Sequence, residues 1–159
     1  MRRLDVRVEE RTPGILSLRY VLDAELSRLR IPAPRIPRHT DGLWKRTCFE
    51  MFVRRASGSL SYYELNSSPS TEWALYSFDD YHTHMARVSP IQSPQVRVTR
   101  DPHRLCLDIR VDLRGLAHAG ELALAAVIED DHGSLGYWAL EHPGPRPDFH
   151  HPGGFRLRP

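Results

Sequence analysis

Residues 44–53, WKRTCFEMFV, and 61–78, SYYELNSSPSTEWALYSF, set carboxylates and an amide among aromatic side chains in what read as strand interiors. Strands favour β-branched and aromatic residues, so Glu50 within 47–53 and Glu64 within 61–67 are out of place unless something holds them there. Successive strand side chains point to opposite faces, which sorts the residues into two sets. Cys48, Glu50 and Phe52 share one face, while Thr47, Phe49, Met51 and Val53 share the other. In the second strand Tyr62, Glu64 and Asn66 fall together, opposite Tyr63 and Leu65. The short Ser57-Gly58-Ser59 link makes the two strands a hairpin. Pairing centred on Gly58 sets Glu50 against Asn66 and Phe52 against Glu64, and Cβ atoms of such partners lie roughly 4.5–5.5 Å apart. Glu50, Glu64 and Asn66 are therefore expected to form one cluster.

The same period of two recurs outward from this block. Leu4-Val6-Val8, Leu16-Leu18-Tyr20-Leu22, Val96-Val98, Leu105-Leu107-Ile109-Val111 and Leu122-Leu124-Ala126-Ile128 alternate with mostly polar or small neighbours. Segments of this kind, bounded by Pro13-Gly14, Asp101-Pro102 and residues 130–133, read as half-buried antiparallel strands joined by turns. About eight to ten such strands predict an all-β fold, a two-sheet antiparallel sandwich of jelly-roll type, as one domain over residues 1–159. Helical periodicity is confined to residues 23–29, too short to stand alone. The Pro-rich segments 31–37 and 89–94 read as connections between sheets. The tail after His142 reads as loop ending in one short strand.

Composition narrows the function. The chain has 159 residues, 40% apolar and 26% charged, as an ordinary globular domain does. A net charge of +2 with no run of basic residues does not predict a nucleic-acid partner. Arginine supplies all but one of the 22 basic residues, Lys45 being the exception. No apolar run approaches the ~20 residues of a membrane span, and MRRLDVRVEE lacks the apolar stretch of a secretory signal. With Cys48 and Cys106 each inside a predicted strand, the expectation is a cytoplasmic protein with two free thiols, a disulfide between neighbouring strands being the alternative.

The cluster admits more than one chemistry. Carboxylates and an amide together accept and donate hydrogen bonds, which suits a polyhydroxylated ligand. The structural alternative is an internal network in which Arg46, Arg54 or backbone amides satisfy the acids. A catalytic alternative uses the Glu50/Glu64 pair as acid and base for hydrolysis or isomerisation. Trp73 and Tyr76 fall on opposite faces of a regular strand, so one is expected in the core and the other exposed, where its ring can stack on a ligand. Among nine histidines, His82 and His84 share a face in extended geometry, and His142, His150 and His151 crowd the tail. A His-x-His pair with a distant third ligand is a weak zinc pattern. No nucleophile elbow, phosphate-binding loop or dinucleotide fingerprint is present.

The motifs W-x-x-T-C-x-E-x-F (44–52), E-x-N-x-S-P-x-x-x-W (64–73), Y-W-A-L-x-H-P (137–143) and P-D-F-H (147–150) together resemble the small bacterial DOMON-like proteins. These are related in fold to family 9 carbohydrate-binding modules. The resemblance runs from about Asp41 to the C-terminus and implies a β-sandwich whose relatives bind sugars or haem, often without catalysis. It falls on Trp44, Cys48, Glu50, Glu64, Asn66, Ser68, Pro69, Trp73, Tyr76, Trp138, His142, Asp148, Phe149 and His150. Haem-binding relatives use a methionine with a histidine or lysine, and Met85 is the candidate here. The reading from sequence is thus a non-catalytic domain for a small polar ligand, such as a saccharide or sugar derivative, with no resident cofactor. Its expected ligand-binding residues are Trp44, Glu50, Glu64, Asn66, Trp73, Tyr76, His142 and His150. The alternatives are haem, or an enzyme using the Glu pair or a His-bound metal.

Overall fold

The computed structural model of the chain describes residues 3–55, 58–116 and 121–158. Ten strands account for nearly all its regular structure: β1 (Arg3–Thr12), β2 (Ile15–Asp23), β3 (Cys48–Arg54), β4 (Tyr62–Ser67), β5 (Trp73–Phe78), β6 (Ala86–Arg87), β7 (Gln95–Asp101), β8 (Arg104–Asp112), β9 (Leu122–Glu129) and β10 (Leu135–Ala139). They form a four-stranded sheet, β1-β2-β8-β7, and a six-stranded sheet, β10-β9-β3-β4-β5-β6. Every pairing between these strands is antiparallel. The sandwich expected from the alternation is what the chain forms. The 23–29 stretch contributes only a 3-10 turn at Leu26–Arg28.

Turn chemistry sets the hairpins. Gly14 takes φ 77° between β1 and β2, where a Cβ would come within 2.7 Å of Arg114 Cγ. Asp101 Oδ1 accepts from the His103 amide at 2.8 Å between β7 and β8. Asp130 Oδ1 accepts from the amides of His132 and Ser134 at 2.9 and 2.8 Å between β9 and β10. Ser57, of the expected β3–β4 turn, lies outside the described residues, but the register on either side is clear. Glu50 pairs with Asn66 and Phe52 with Glu64.

The two sheets bury one core between them. The four-stranded sheet contributes Leu16, Leu18, Tyr20 and Leu22 from β2 and Leu105, Leu107, Ile109 and Val111 from β8. Phe49, Met51, Tyr63, Leu65, Leu75, Leu122 and Leu124 meet them from the six-stranded sheet. Tyr20 reaches across, its ring centroid 5.1 Å from that of Phe49 and its hydroxyl donating to the Glu50 carbonyl at 2.7 Å. Such a ring can lie in a core because its hydroxyl finds a partner.

Burial alternates along β2, as a sheet with one wet face requires, but not along β4 or β9, where every residue is buried. The outer face of the six-stranded sheet is therefore covered. The 3-10 turn Leu43–Lys45 lies over one part, and the C-terminal tail brings Phe149 and Phe155 over another, packing on Phe52, Tyr62, Tyr76 and Phe78. The tail's expected last strand is a single bridge, Leu157 to Leu122. Cys48 and Cys106 are both buried and free. They point to the outer faces of different sheets, with the core between them, so no disulfide joins them.

Candidate ligand-binding site

Between the covering loops and the outer face of the six-stranded sheet lies a cavity of about 710 Å³, of the size that holds small ligands. Its floor carries Glu50 from β3 and Glu64 from β4, 3% and 5% exposed. Asn66 lies fully buried beside them and donates from Nδ2 to Glu64 Oε1 at 2.6 Å. Its Oδ1 accepts from Cys48 Sγ at 3.6 Å. Glu50 Oε1 is buried and has no hydrogen-bond partner among the described residues. Buried polar atoms without partners are rare because desolvating them is costly, and this one faces a cavity.

The arginines expected to satisfy these acids go elsewhere. Arg46 Nη1 contacts Glu129 Oε1 at 2.8 Å, where Arg30 Nη1 also arrives at 2.9 Å. Arg54 pairs with Glu121 at 3.2 Å and donates to the carbonyls of Ser59 and Pro152. Burial accordingly pushes the Glu50 carboxyl well above the ordinary carboxylate range, and the neighbouring Glu64 pushes it further. Burial raises Glu64 to about 7 against the opposing hydrogen bond from Asn66. The internal-network alternative fails for Glu50 and holds only in part for Glu64.

A chain of polar contacts closes one side. The His150 amide and His82 Nε2 lie 3.1 and 3.2 Å from Asp148 Oδ1, and the Tyr81 hydroxyl donates to Asp148 Oδ2. His150 Nδ1 is hydrogen-bonded to the Tyr62 hydroxyl at 2.7 Å, and its Nε2 stands 3.7 Å from Glu64 Oε2. Its ring lies against Phe52, Phe78 and His82, with centroids 5.1, 5.0 and 4.2 Å away. Burial lowers its pKa to about 4, repulsion from His82 adding to the effect and Asp148 opposing it. Apart from Arg146, the remaining walls are apolar or aromatic and include Trp44, Met85, Val127, Tyr137 and Phe149.

Of the residues expected from sequence, Trp44, Glu50, Glu64 and His150 line the cavity, and Asn66 braces Glu64 from below. Tyr76 stands one layer back. Its ring meets Trp44 edge-on at 5.7 Å, and its hydroxyl donates to Asp41 Oδ1 at 2.7 Å, holding the turn that carries Trp44. Trp73 is a correction: it pairs with Ser67 on the inner face and packs in the core between the sheets. Tyr76, on the outer face, is buried by the covering loops and not exposed. His142 is also corrected, being exposed, with its ring 6.3 Å from Phe149 and not on the cavity wall. Sequence reading missed Phe78, His82, Tyr137, Arg146 and Pro147 as lining residues. Phe78 and Tyr137 were findable by strand parity, since they follow Tyr76 by two and pair with Val127 respectively. The loop residues carried no such signal.

The metal and haem alternatives meet this geometry poorly. His82 and His84 have φ of 52° and 53°, so they are not in extended geometry and diverge, His82 to Asp148 and His84 to Asp79. Among the described residues no group of three or more His, Cys, Asp and Glu side chains is placed to hold a metal ion. Met85 borders the cavity, but the histidines nearby turn Nε2 toward carboxylates, His82 to Asp148 and His150 to Glu64. An axial imidazole ligand for haem would have to break one of these contacts.

No protein-family model and no curated protein matches the chain. Its fold does have a counterpart. The crystal structure of a "putative carbohydrate-binding protein" from Bacteroides uniformis ATCC 8492 superposes with a TM-score of 0.66 over 96% of this chain and 75% of that one, at 14% sequence identity. At that identity the likeness is one of fold: a β-sandwich shared with a protein named for carbohydrate binding. Among the described residues no helix is long and apolar enough to cross a membrane.

Proposed function

We propose that the protein is a non-catalytic binding module for a small polar ligand, a saccharide or sugar derivative, held on the covered face of the six-stranded sheet. One observation carries this: Glu50, buried with an oxygen unpartnered, sits with Glu64 at the base of an aromatic-walled cavity. Trp44 and Tyr137 offer ring faces for the apolar side of a sugar, and the carboxyl groups address its hydroxyls. The shared fold with a protein named for carbohydrate binding supports the reading, as does the DOMON-like resemblance of the motifs. Two free buried thiols fit a cytoplasmic setting. Glu64, held near neutrality, also has the pKa of a general acid–base, which favours a catalytic role as the second reading.

A thermal-shift screen against saccharides, nucleotide sugars and polar metabolites tests the proposal. A ligand at a hundredfold excess over its Kd adds about 2.7 kcal/mol to stability. Absence of any shift at millimolar saccharide would sink the sugar reading, and chemical turnover of a bound sugar would replace it with the catalytic one.

A further inference from the structure

Five acidic side chains are buried among the described residues: Glu50, Glu64, Glu72, Asp112 and Glu129. Three have arginine partners. Glu72 Oε1 contacts Arg38 Nε at 3.0 Å, Asp112 Oδ2 contacts Arg114 Nη2 at 2.6 Å, and Glu129 receives both Arg30 and Arg46. That is how proteins retain buried acids, since an unpaired carboxylate in an apolar site is strongly penalised. Glu50 and Glu64 have no arginine or lysine partner among the described residues, and they are the two that floor the cavity. His150 does not fill the role. Its Nε2 is 3.7 Å from Glu64, and the ring is crowded by Phe52, Phe78 and a second imidazole.

We infer that the ligand of this cavity bears an ammonium group on a sugar-sized polar body, as an amino sugar does, and that Glu50 and Glu64 receive it between them. The inference rests on the sugar-binding reading for the body of the ligand and on the unpaired acids for its charge. A cation supplies what Arg38, Arg114, Arg30 and Arg46 supply elsewhere in the same molecule. The walls agree, because Trp44, Tyr137 and Phe149 line the cavity and aromatic rings attract a cation over their faces. An anionic ligand would meet Asp148 and two carboxyls whose ionisation it would oppose further, with Arg146 the only arginine or lysine of the lining.

The charge state of the floor makes the event measurable. β9 faces Glu50 with Ala125, β3 and β5 add the Cys48 thiol and Tyr76, and β4 adds Tyr62. The loops add His82, Arg146, Asp148 and His150. Burial raises Cys48, Tyr62 and Tyr76 further from ionisation, so at neutral pH the titrating groups of the floor are the two glutamates. Burial raises both carboxyls in the free protein, Glu64 to about 7, and an arriving ammonium favours their carboxylates, so binding at pH 7 releases protons.

Calorimetry of the full chain at pH 7, in two buffers of different ionisation enthalpy, tests this with glucosamine, N-acetylglucosamine and glucose. Ethanolamine and putrescine serve as amines without a sugar body. Glucosamine is expected to bind at least tenfold more tightly than the two neutral sugars and to release protons. Glu50→Gln and Glu64→Gln, isosteres of the protonated acids, are expected to keep the fold by melting temperature and to lose the preference. Equal binding of the three sugars overturns the charge inference and leaves the sugar reading standing. Binding of the simple amines with no sugar discrimination keeps the charge inference and removes the sugar body. No binding of any probe overturns both.

Discussion

His150 Nε2 stands 3.7 Å from Glu64 Oε2, the spacing of an ion pair, yet both partners are held neutral over a wide pH range. Burial lifts the carboxyl to about 7 and depresses the imidazole to about 4, inverting their usual order. The two groups then act on stability in opposite senses. Glu64 has its pKa raised on folding, so its contribution is fully present below about 4.5 and is lost as pH rises to about 7. His150 is depressed on folding, so its contribution is present above about 6.5 and is lost as pH falls toward 4.

Difference curves separate the two. Relative to wild type, Glu64→Gln should gain stability as pH rises from about 4.5 to 7, by at most about 1.4 kcal/mol per pH unit. His150→Gln should show the reverse trend between about 4 and 6.5, losing relative stability as pH rises. Denaturant unfolding at half-unit pH steps measures both. A pH-independent difference for either variant would mean that the burial of that group does not govern its charge.

Glu50→Gln tests the floor. Burial lifts its carboxyl well above the ordinary range, and the amide is isosteric with the protonated acid, so the substitution should leave the melting temperature nearly unchanged at pH 6. Ligand affinity should fall ten- to a hundredfold, the loss of a charged hydrogen bond worth about 1.5–3 kcal/mol. Unfolding of this variant with no effect on any ligand would make Glu50 structural.

Glu72→Gln should behave in the opposite way. Its carboxylate is pushed up by burial, but hydrogen bonds from Ser70, Arg38 and Thr40 outweigh this and hold it below the ordinary range. It joins the 35–40 segment to β5, since Arg38 and Thr40 both donate to Oε1 at 3.0 Å. Replacing it should cost about 1–3 kcal/mol of stability and leave the thermal shift produced by a bound ligand unchanged. Arg38 is largely solvent-exposed, so its charge is not stranded and the cost stays at the lower end of what a buried pair loses.

The hairpin that carries the site is legible in the sequence. Gly58 and strand parity set Glu50 against Asn66, and the same parity separated Phe49 and Met51 from Cys48 and Glu50. Parity also had the means to place Trp73, because Ser67 opposite it shares the face of Leu65 and Tyr63. What hid this was the connection at 68–72, whose length sets the register and has no period of its own. The covering loops were illegible for the same reason. Pro145, Pro147 and Pro152 mark irregular chain without saying which face it crosses. Nor does spacing announce that Arg46 crosses to Glu129, 83 residues away, and leaves Glu50 alone.

Trp44 and Trp73 give the last test, because the fold assigns them opposite fates. Trp44 borders the cavity on a turn held by the Tyr76–Asp41 bond, whereas Trp73 packs between the sheets. A ligand stacking in the cavity should change the fluorescence of Trp44 alone of the two. Trp44→Phe should then remove most of the ligand-induced signal and weaken binding several-fold while the fold persists. Tyr76→Phe deletes only the hydroxyl that fixes the turn, so it should weaken binding by loosening Trp44 and leave the emission of the free protein nearly intact. Trp73→Phe creates a void in a packed core and should cost stability first, by roughly 1–3 kcal/mol, with the ligand signal preserved. Loss of the signal in Trp73→Phe, and its survival in Trp44→Phe, would place the ligand somewhere other than this cavity.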